Sequence, residues 1–231
     1  MKHLIETTDL SSLPITRYDR LILDSTKNDI IVRGVTYEYV DLGLSVKWAK
    51  CNVGAEKETD AGLYFAWGET TGYTASQVGT DKQFSWSDYK YGNSSSNLTK
   101  YNQSDGKTVL EPEDDAVSQI MGGDWRMPTK NEFDELLSGT TNEWITNYNG
   151  TGVKGMKFTS KTDTSKYIFI PAAGYCYSGS VFSVGNYGNV WSSSLYTSYP
   201  DSAWSLDFSS GDCGMSDVGR CDGRSVRGVR K

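Results

Sequence analysis

The alternation of apolar and polar positions sharpens at Val35. VTYEYVDLG and SVKWAKCNVG alternate strictly and end at Gly, which predicts two half-buried strands. TDAGLYFAWGE, just beyond, reads as a short helix or as a turn leading into a strand. Residues 1–34 mix short apolar and charged stretches and read as an N-terminal extension or lead-in strand. Residues 70–110 are rich in Ser, Asn, Thr, Gly and Tyr with little periodicity, which predicts a long loop region, a common place for function. Helical spacing is confined to the middle. EPEDDAVSQIMG has acidic residues in its first turn and Gly122 after its end. In PTKNEFDELLSG, Thr129 and Glu132 have the spacing of a capping box, and Phe133, Leu136 and Leu137 form an apolar stripe closed by Gly139. After Lys154 the chain reads as short strands, GMKFTS, KYIFIPA, NVWSSS, AWSLDFSS and RSVRGVR, joined by Gly- and Ser-rich turns. GMSDVGRCDG carries too much Gly and Asp for a regular strand and reads as a loop. Strands, two helices, then strands predict an α+β fold, with residues 35–231 as one domain.

Composition narrows the function. A chain of 231 residues suffices for one large domain with a full core. Only 37% of it is hydrophobic, so the seven Trp and fifteen Tyr must supply much of the buried area. A net charge of −6 with no basic run argues against nucleic acid, because phosphate binding needs a cationic surface. No apolar run reaches the length of a membrane span, and MKHLIETTDLSSLP lacks the apolar stretch of an export signal, so no membrane insertion and no signal peptide are expected. The four cysteines, Cys51, Cys176, Cys213 and Cys221, include no Cys-x-x-Cys pair, and His3 is the lone histidine. A zinc site and a Ser/His/Asp triad are therefore not expected, and neither is any metal or cofactor. Free thiols are the default, with a Cys213–Cys221 disulfide left open. Asp114 and Asp115 read as acidic residues interacting with a helix start.

Between Lys166 and Lys231 there is no Lys, Glu, Gln or His, although the preceding residues use Lys and Glu freely. What remains is rich in Ser, Gly and Tyr. Tyr supplies rigid contact area while Ser and Gly supply adaptable polar contacts, the mixture that makes antibody loops adhesive. Composition alone leaves two readings open, a binding surface and a Gly/Ser-rich β meander without a partner.

GDWRMPTKNEFDELL, GNVWSSS and the terminal RSVRGVR resemble the C-type-lectin-like fold, in the branch shared by formylglycine-generating enzymes and the variable proteins of diversity-generating retroelements. VDLGLSVKWAKCNVGA and YFAWGE resemble a paralogous domain common in gut Bacteroidetes and their phages, so the likeness spans residues 35–231. It implies paired N- and C-terminal strands, two helices packed on an antiparallel sheet, and a loop-rich excursion that displays a binding face. Trp125, Arg126, Pro128 and Trp191 are framework in this reading.

In such variable proteins, adenine-directed mutagenesis of Asn codons yields residues that never include Lys, Glu, Gln, Met or Trp. The last segment obeys that restriction except at Trp191, Trp204 and Met215, which the resemblance makes template-fixed framework. It implies a variable ligand-binding region over about residues 172–224. The candidate variable positions are Tyr196, Tyr199, Asp201, Ser202, Ser205, Asp207 and Ser209, followed by Gly214, Ser216, Asp217, Val218, Gly219 and Asp222. Ser205, Asp207 and Ser209 alternate with Trp204, Leu206 and Phe208, so the first set is expected to face outward and the second to face the core. Cys176, Tyr177, Ser178, Val181 and Phe182 are candidates for a further exposed loop.

The implied partner is a bacterial cell-surface protein or glycan, and the implied setting is a phage virion, or the bacterial cytoplasm before assembly. No catalytic activity is expected. The alternatives are a non-diversified lectin-like adhesion or structural module and, remotely, an oxidase of the formylglycine-generating type. Against the oxidase, Cys213 and Cys221 lie in no stretch resembling that family's catalytic segment, and no neighbouring cation is evident to activate a thiol. Calcium-dependent sugar binding lacks its Glu-Pro-Asn or Gln-Pro-Asp loop; Tyr199-Pro200-Asp201 is the nearest stretch.

Overall fold

The computed structural model describes residues 20–24, 29–33 and 37–231. The chain forms two compact units, Met1–Thr36 and Tyr37–Lys231. In the first, strands β1 (Arg20–Asp24) and β2 (Asp29–Arg33) pair antiparallel with Ile22 opposite Ile31. The remainder of the 1–34 segment, His3 included, lies outside the described residues.

The second unit is mostly β with two helices, an α+β arrangement. Its outer strands meet: β15 (Arg227–Arg230) pairs antiparallel with β4 (Lys47–Asn52), which also pairs with the two-residue β3 (Tyr39–Val40). Of VTYEYVDLG only Tyr39 and Val40 are strand. Residues 61–67 are neither helix nor regular strand, but an extended run tied by isolated bridges from Tyr64 to Tyr73 and from Phe65 to Arg224. The expected loop region carries only a small ribbon, β5 (Gly92–Ser94) with β6 (Asn97–Leu98). A 3₁₀ turn (Pro112–Asp114) leads into helix α1 (Ala116–Met121), so the first predicted helix is shorter than read; Asp115 caps it by accepting from Ser118 N. Helix α2 (Lys130–Gly139) has the predicted capping box, with Phe133 and Leu136 buried. Arg126 grips the same Glu132 through two hydrogen bonds, of 2.7 and 2.5 Å, and so ties the cap to the bridge it makes with Val229.

Beyond α2, β7 (Thr140–Ile145), β8 (Gly155–Ser160) and β9 (Tyr167–Pro171) form an antiparallel meander, and β10 (Tyr175–Tyr177) with β11 (Ser180–Phe182) a short hairpin. The last sheet is β12 (Gly188–Leu195), β13 (Ser202–Phe208) and β14 (Cys213–Gly219). β14 corrects the loop expected for GMSDVGRCDG: seven consecutive residues pair with β13, from Cys213 opposite Phe208 to Gly219 opposite Ser202. An edge strand has one neighbour to satisfy and tolerates Gly and Asp that a central strand would not.

Two apolar clusters fill the unit. One packs α2 (Phe133, Leu136) against Trp48, Phe158, Leu206 and Phe208. The other gathers Phe65, Trp67, Tyr89, Tyr101 and Trp191 under the loop-rich excursion. Each such aromatic brings an apolar body with a polar tip that must find an acceptor when buried. The tips do so across long sequence separations: Trp67 Nε1 donates to Ser192 O (2.8 Å), Trp191 Nε1 to Phe65 O (2.8 Å) and Tyr64 Oη to Ala173 O (2.7 Å). The framework expectation for Trp191 and Trp125 agrees with their burial.

Asp114 has a larger role than interaction with a helix start. Its buried carboxylate accepts from Tyr91 Oη, Tyr101 Oη (2.8 Å), Lys90 Nζ (3.2 Å) and Lys100 Nζ (2.5 Å). Burial alone would push its pKa up, but these hydrogen bonds prevail and hold it at about 2. Carboxylate oxygens of Glu111, Glu113 and Asp114 converge within 4.8 Å of one another, and Lys100 Nζ stands among them, 2.5 Å from Glu111, 2.5 Å from Asp114 and 3.6 Å from Glu113. An ammonium thus meets the charge of this cluster and fastens the excursion to α1. Asp114→Ala is expected to cost about 3–5 kcal/mol in urea unfolding, since it strands two buried phenols and unpairs Lys100; a loss under about 1 kcal/mol would show that the hub is dispensable.

Candidate functional site

The β12–β13–β14 sheet carries most of the predicted ligand-binding positions, and its register assigns them to faces. Asp207 lies opposite Asn189 and Gly214, Ser205 opposite Trp191 and Ser216, and Ala203 opposite Val218. These residues share one face, as alternation requires. Trp204, Leu206 and Phe208 occupy the other, and Leu206 and Phe208 pack into the α2 cluster as expected.

The outward placement of Ser205 is incorrect. Ser205 is fully buried, and Ala203 beside it belongs to the aromatic cluster. The reason is coverage: period-two alternation fixes which side chains share a face, but does not show that another segment lies over it. Here the segment after β14 crosses that face. Trp67 N donates to Arg220 O, Phe65 bridges Arg224, Gly223 bridges Cys176, and Ser225 runs parallel to Val190.

Two buried arginines anchor the crossing. Arg220 donates from Nε to Tyr89 Oη (2.9 Å), from Nη1 to the carbonyls of Tyr101 and Pro200 (both 2.8 Å), and from Nη2 to that of Lys100 (3.0 Å). It thereby joins the excursion to the β12–β13 turn. Arg224 donates from Nη1 to Asp207 Oδ1 (2.8 Å) and Ser205 Oγ (3.2 Å), with its guanidinium against the rings of Trp191 and Tyr175. The Ser205 hydroxyl stands 2.7 Å from Asp207 Oδ1. Among the described residues, three buried side-chain atoms have no hydrogen-bond partner, and two of them, Asn189 Oδ1 and Arg224 Nε, belong to this face. Neither residue was singled out from sequence, although arginine persisting where Lys and Glu vanish was an available signal for buried structural cations.

The remaining candidates fall into groups. Near the Gly188 end of the sheet lie Asp207, Ser209 and Gly214, all half-buried. The β10–β11 hairpin joins that end through a bridge between Gly174 and Gly188. On and beside the hairpin, Tyr177, Ser178 and Phe182 are exposed and Val181 is half-buried, but Cys176 is fully buried, which corrects its placement in an exposed loop. Inward Cys176 alternates with outward Tyr175 and Tyr177 because the hairpin is a strand pair, not a loop.

The opposite end, about 23 Å away at strand rise, holds Tyr196, Tyr199, Asp201, Ser202, Val218 and Gly219. There the Tyr196 ring meets those of Tyr199 and Trp204, and Tyr199 is 64% exposed. Ser216 lies between the ends, and Asp217 is exposed on the other face opposite Trp204. The exposed large hydrophobics concentrate in this part of the chain: Tyr177, Phe182, Val184, Tyr187 and Tyr199, against Tyr39 and Val109 elsewhere among the described residues.

Asp222 sits where the crossing segment meets the hairpin. The Cys176–Gly223 bridge sets Tyr177 opposite Asp222 in an antiparallel register. Its carboxylate makes no ion pair among the described residues, and the contact it does make is with the Cys221 thiol at 3.9 Å. Burial raises its pKa to about 6, with Asp207 adding to the rise and Arg224 opposing it. All four thiols are free. Burial pushes Cys176 and Cys221 up to about 12 and Cys213 to about 11, so these three are neutral and unreactive at pH 7. No protein family, curated protein or solved structure matches the chain.

Because the folded-state pKa of Asp222 lies above its unfolded value, the folded protein holds this proton more tightly, and stability from this group falls as pH rises from about 4 through about 6. Asp222→Asn is therefore expected to raise stability by about 1–2 kcal/mol at pH 7.5, discounted for partial solvation, with the gain vanishing toward pH 4. Thermal unfolding of both proteins across that range is the check; a variant less stable at pH 7.5 would contradict the placement of Asp222.

Proposed function

We propose that residues 37–231 form a C-type-lectin-like scaffold that binds a bacterial cell-surface partner through side chains of the C-terminal third, diversified by a retroelement and encoded by a phage or prophage. Three features of the fold agree with the scaffold reading: the β4–β15 pairing of the unit's outer strands, the helix with its capping box, and the long excursion between β4 and α1. The mechanism is recognition by aromatic contact, shape and hydrogen bonding, without bond chemistry.

The observation that carries the proposal is the contrast among glycines. Gly214 and Gly219 are candidate variable positions, and a Cβ built on them meets nothing within 4 Å at Gly214 and only Asp222 Oδ1 at 3.7 Å at Gly219. At Gly188 and Gly223, outside the candidate set, a Cβ would come within 1.9 Å of Phe208 and 2.8 Å of Cys176 and Phe84. Substitution is thus free of steric cost at two proposed variable positions and costly at two framework ones. Ser205 and Cys176, fully buried, are withdrawn from the proposed contact surface.

Gly214→Tyr and Gly219→Ser are expected to change stability by no more than about 0.5 kcal/mol, and Gly188→Ala to cost about 1–3 kcal/mol, in parallel urea titrations. The genetic test is direct. DNA flanking the gene should carry a near-copy of its 3′ part, differing mainly at adenines, beside a reverse transcriptase; without such a copy the diversified reading falls to that of a fixed adhesion module.

A further inference from the structure

The crossing segment leaves one charge unanswered on the proposed binding surface. Arg224, Asp207 and Asp222 form a group of two carboxylates and one guanidinium. Arg224 Nη1 is committed to Asp207 and Ser205, so the group carries a net charge of −1, located on Asp222. The charged and titratable groups that act on Asp222 are Arg224, Asp207 and the Cys221 thiol, and the neighbouring Cys176 thiol feels its charge. No Lys occurs between Lys166 and Lys231 to compensate it.

The surroundings favour a cation from outside. Tyr177, 51% exposed, is the register neighbour of Asp222, and Phe182, 41% exposed, stacks on Tyr175 at 5.5 Å between ring centroids. Aromatic faces attract cations, and more strongly where water is partly excluded. A second, independent observation concerns acceptors. Asn189 Oδ1 lies in a residue only 4% exposed, has no partner, and occupies the strand position facing Asp207. The site therefore has acceptors in surplus. A guanidinium, with five N–H donors and no acceptor, is the side-chain head that complements such a surplus. A neutral polyol would leave the charge of Asp222 unanswered, and an anion would oppose it. The overall charge of −6 also steers cationic surfaces toward the protein.

We propose that in this chain Asp222, flanked by Tyr177 and backed by Asp207, receives the guanidinium of an arginine on a protein partner. The inference rests on the binding-surface reading above and narrows its ligand from protein or glycan to a protein bearing an exposed arginine. Because Asp222 must be ionised to bind, affinity rises with pH through about 6, where its proton leaves.

The test uses the full chain, with carboxyl and ring resonances followed by NMR. Probes are N-acetylarginine amide, its neutral isostere N-acetylcitrulline amide, and a methyl glycoside. The arginine probe should shift the Asp222 carboxyl and Tyr177 ring signals saturably at pH 7.5, about tenfold more tightly than citrulline, and about tenfold more weakly at pH 5. Asp222→Asn should abolish the preference for arginine while the protein stays folded, and Glu143→Gln, an exposed acid on β7, should leave it intact. Equal binding of citrulline, tighter binding of the glycoside, shifts confined to other residues, or an unchanged preference in Asp222→Asn would each overturn the proposal. The flanking-DNA and glycine tests do not depend on this titration, so failure here and failure of the diversified reading are separable.

Discussion

The return of the chain after β14 is the constraint on which the rest of the second unit depends. Residues 220–230 cross a face of the last sheet, insert between it and the excursion, and finish as β15 against β4. Three buried arginines make this path stable. Arg220 and Arg227 have no carboxylate partner and spend their donors mainly on backbone carbonyls. Arg227 reaches Ala49 (2.9 Å), Lys50 (2.6 Å) and Phe169 (3.1 Å), with Nε on Asn52 Oδ1 (2.9 Å). A buried cation without a counter-ion is costly, and full hydrogen bonding offsets much of that cost. The strain shows at Arg227, whose pKa burial pulls down to about 10. Loop carbonyls from the excursion and from the β12–β13 turn converge on single guanidinium groups, so segments with little apolar content acquire defined positions.

That arrangement separates stability from recognition. The side chains that hold the unit together point into two aromatic-rich clusters or onto the buried arginines. Those on the hairpin, on the edge strand β14 and on the β12–β13 turn hold little of it. Asp222 is the telling exception: an acid on the crossing segment that the fold keeps partly desolvated without giving it a cation. Groups held at a cost to stability are where function is expected to reside.

Much of this was legible in the sequence, for identifiable reasons. The Thr129–Glu132 spacing located α2 because capping chemistry is local, and AWSLDFSS located β13 because alternation is local. What the sequence hid was long-range. Ser205 has the pattern of an outward residue and is buried because a segment fifteen and more positions later lies over it. β14 was obscured by its glycines, which an edge position tolerates and local propensity penalises. Asp114 was taken for a helix-start charge because its partners Tyr91, Lys90, Lys100 and Tyr101 lie in a stretch without periodicity.

The central claim is that the C-terminal third divides into side chains that hold the fold and side chains free to change. A saturation-mutagenesis scan of residues 172–224, displayed on a surface and scored only for protease-resistant folding, measures that division directly. The account predicts broad tolerance at Tyr177, Tyr199, Ser216 and Asp217, and intolerance at Cys176, Ser205, Arg220 and Arg224. Tolerance spread evenly over both groups, or intolerance at the exposed tyrosines, would contradict it.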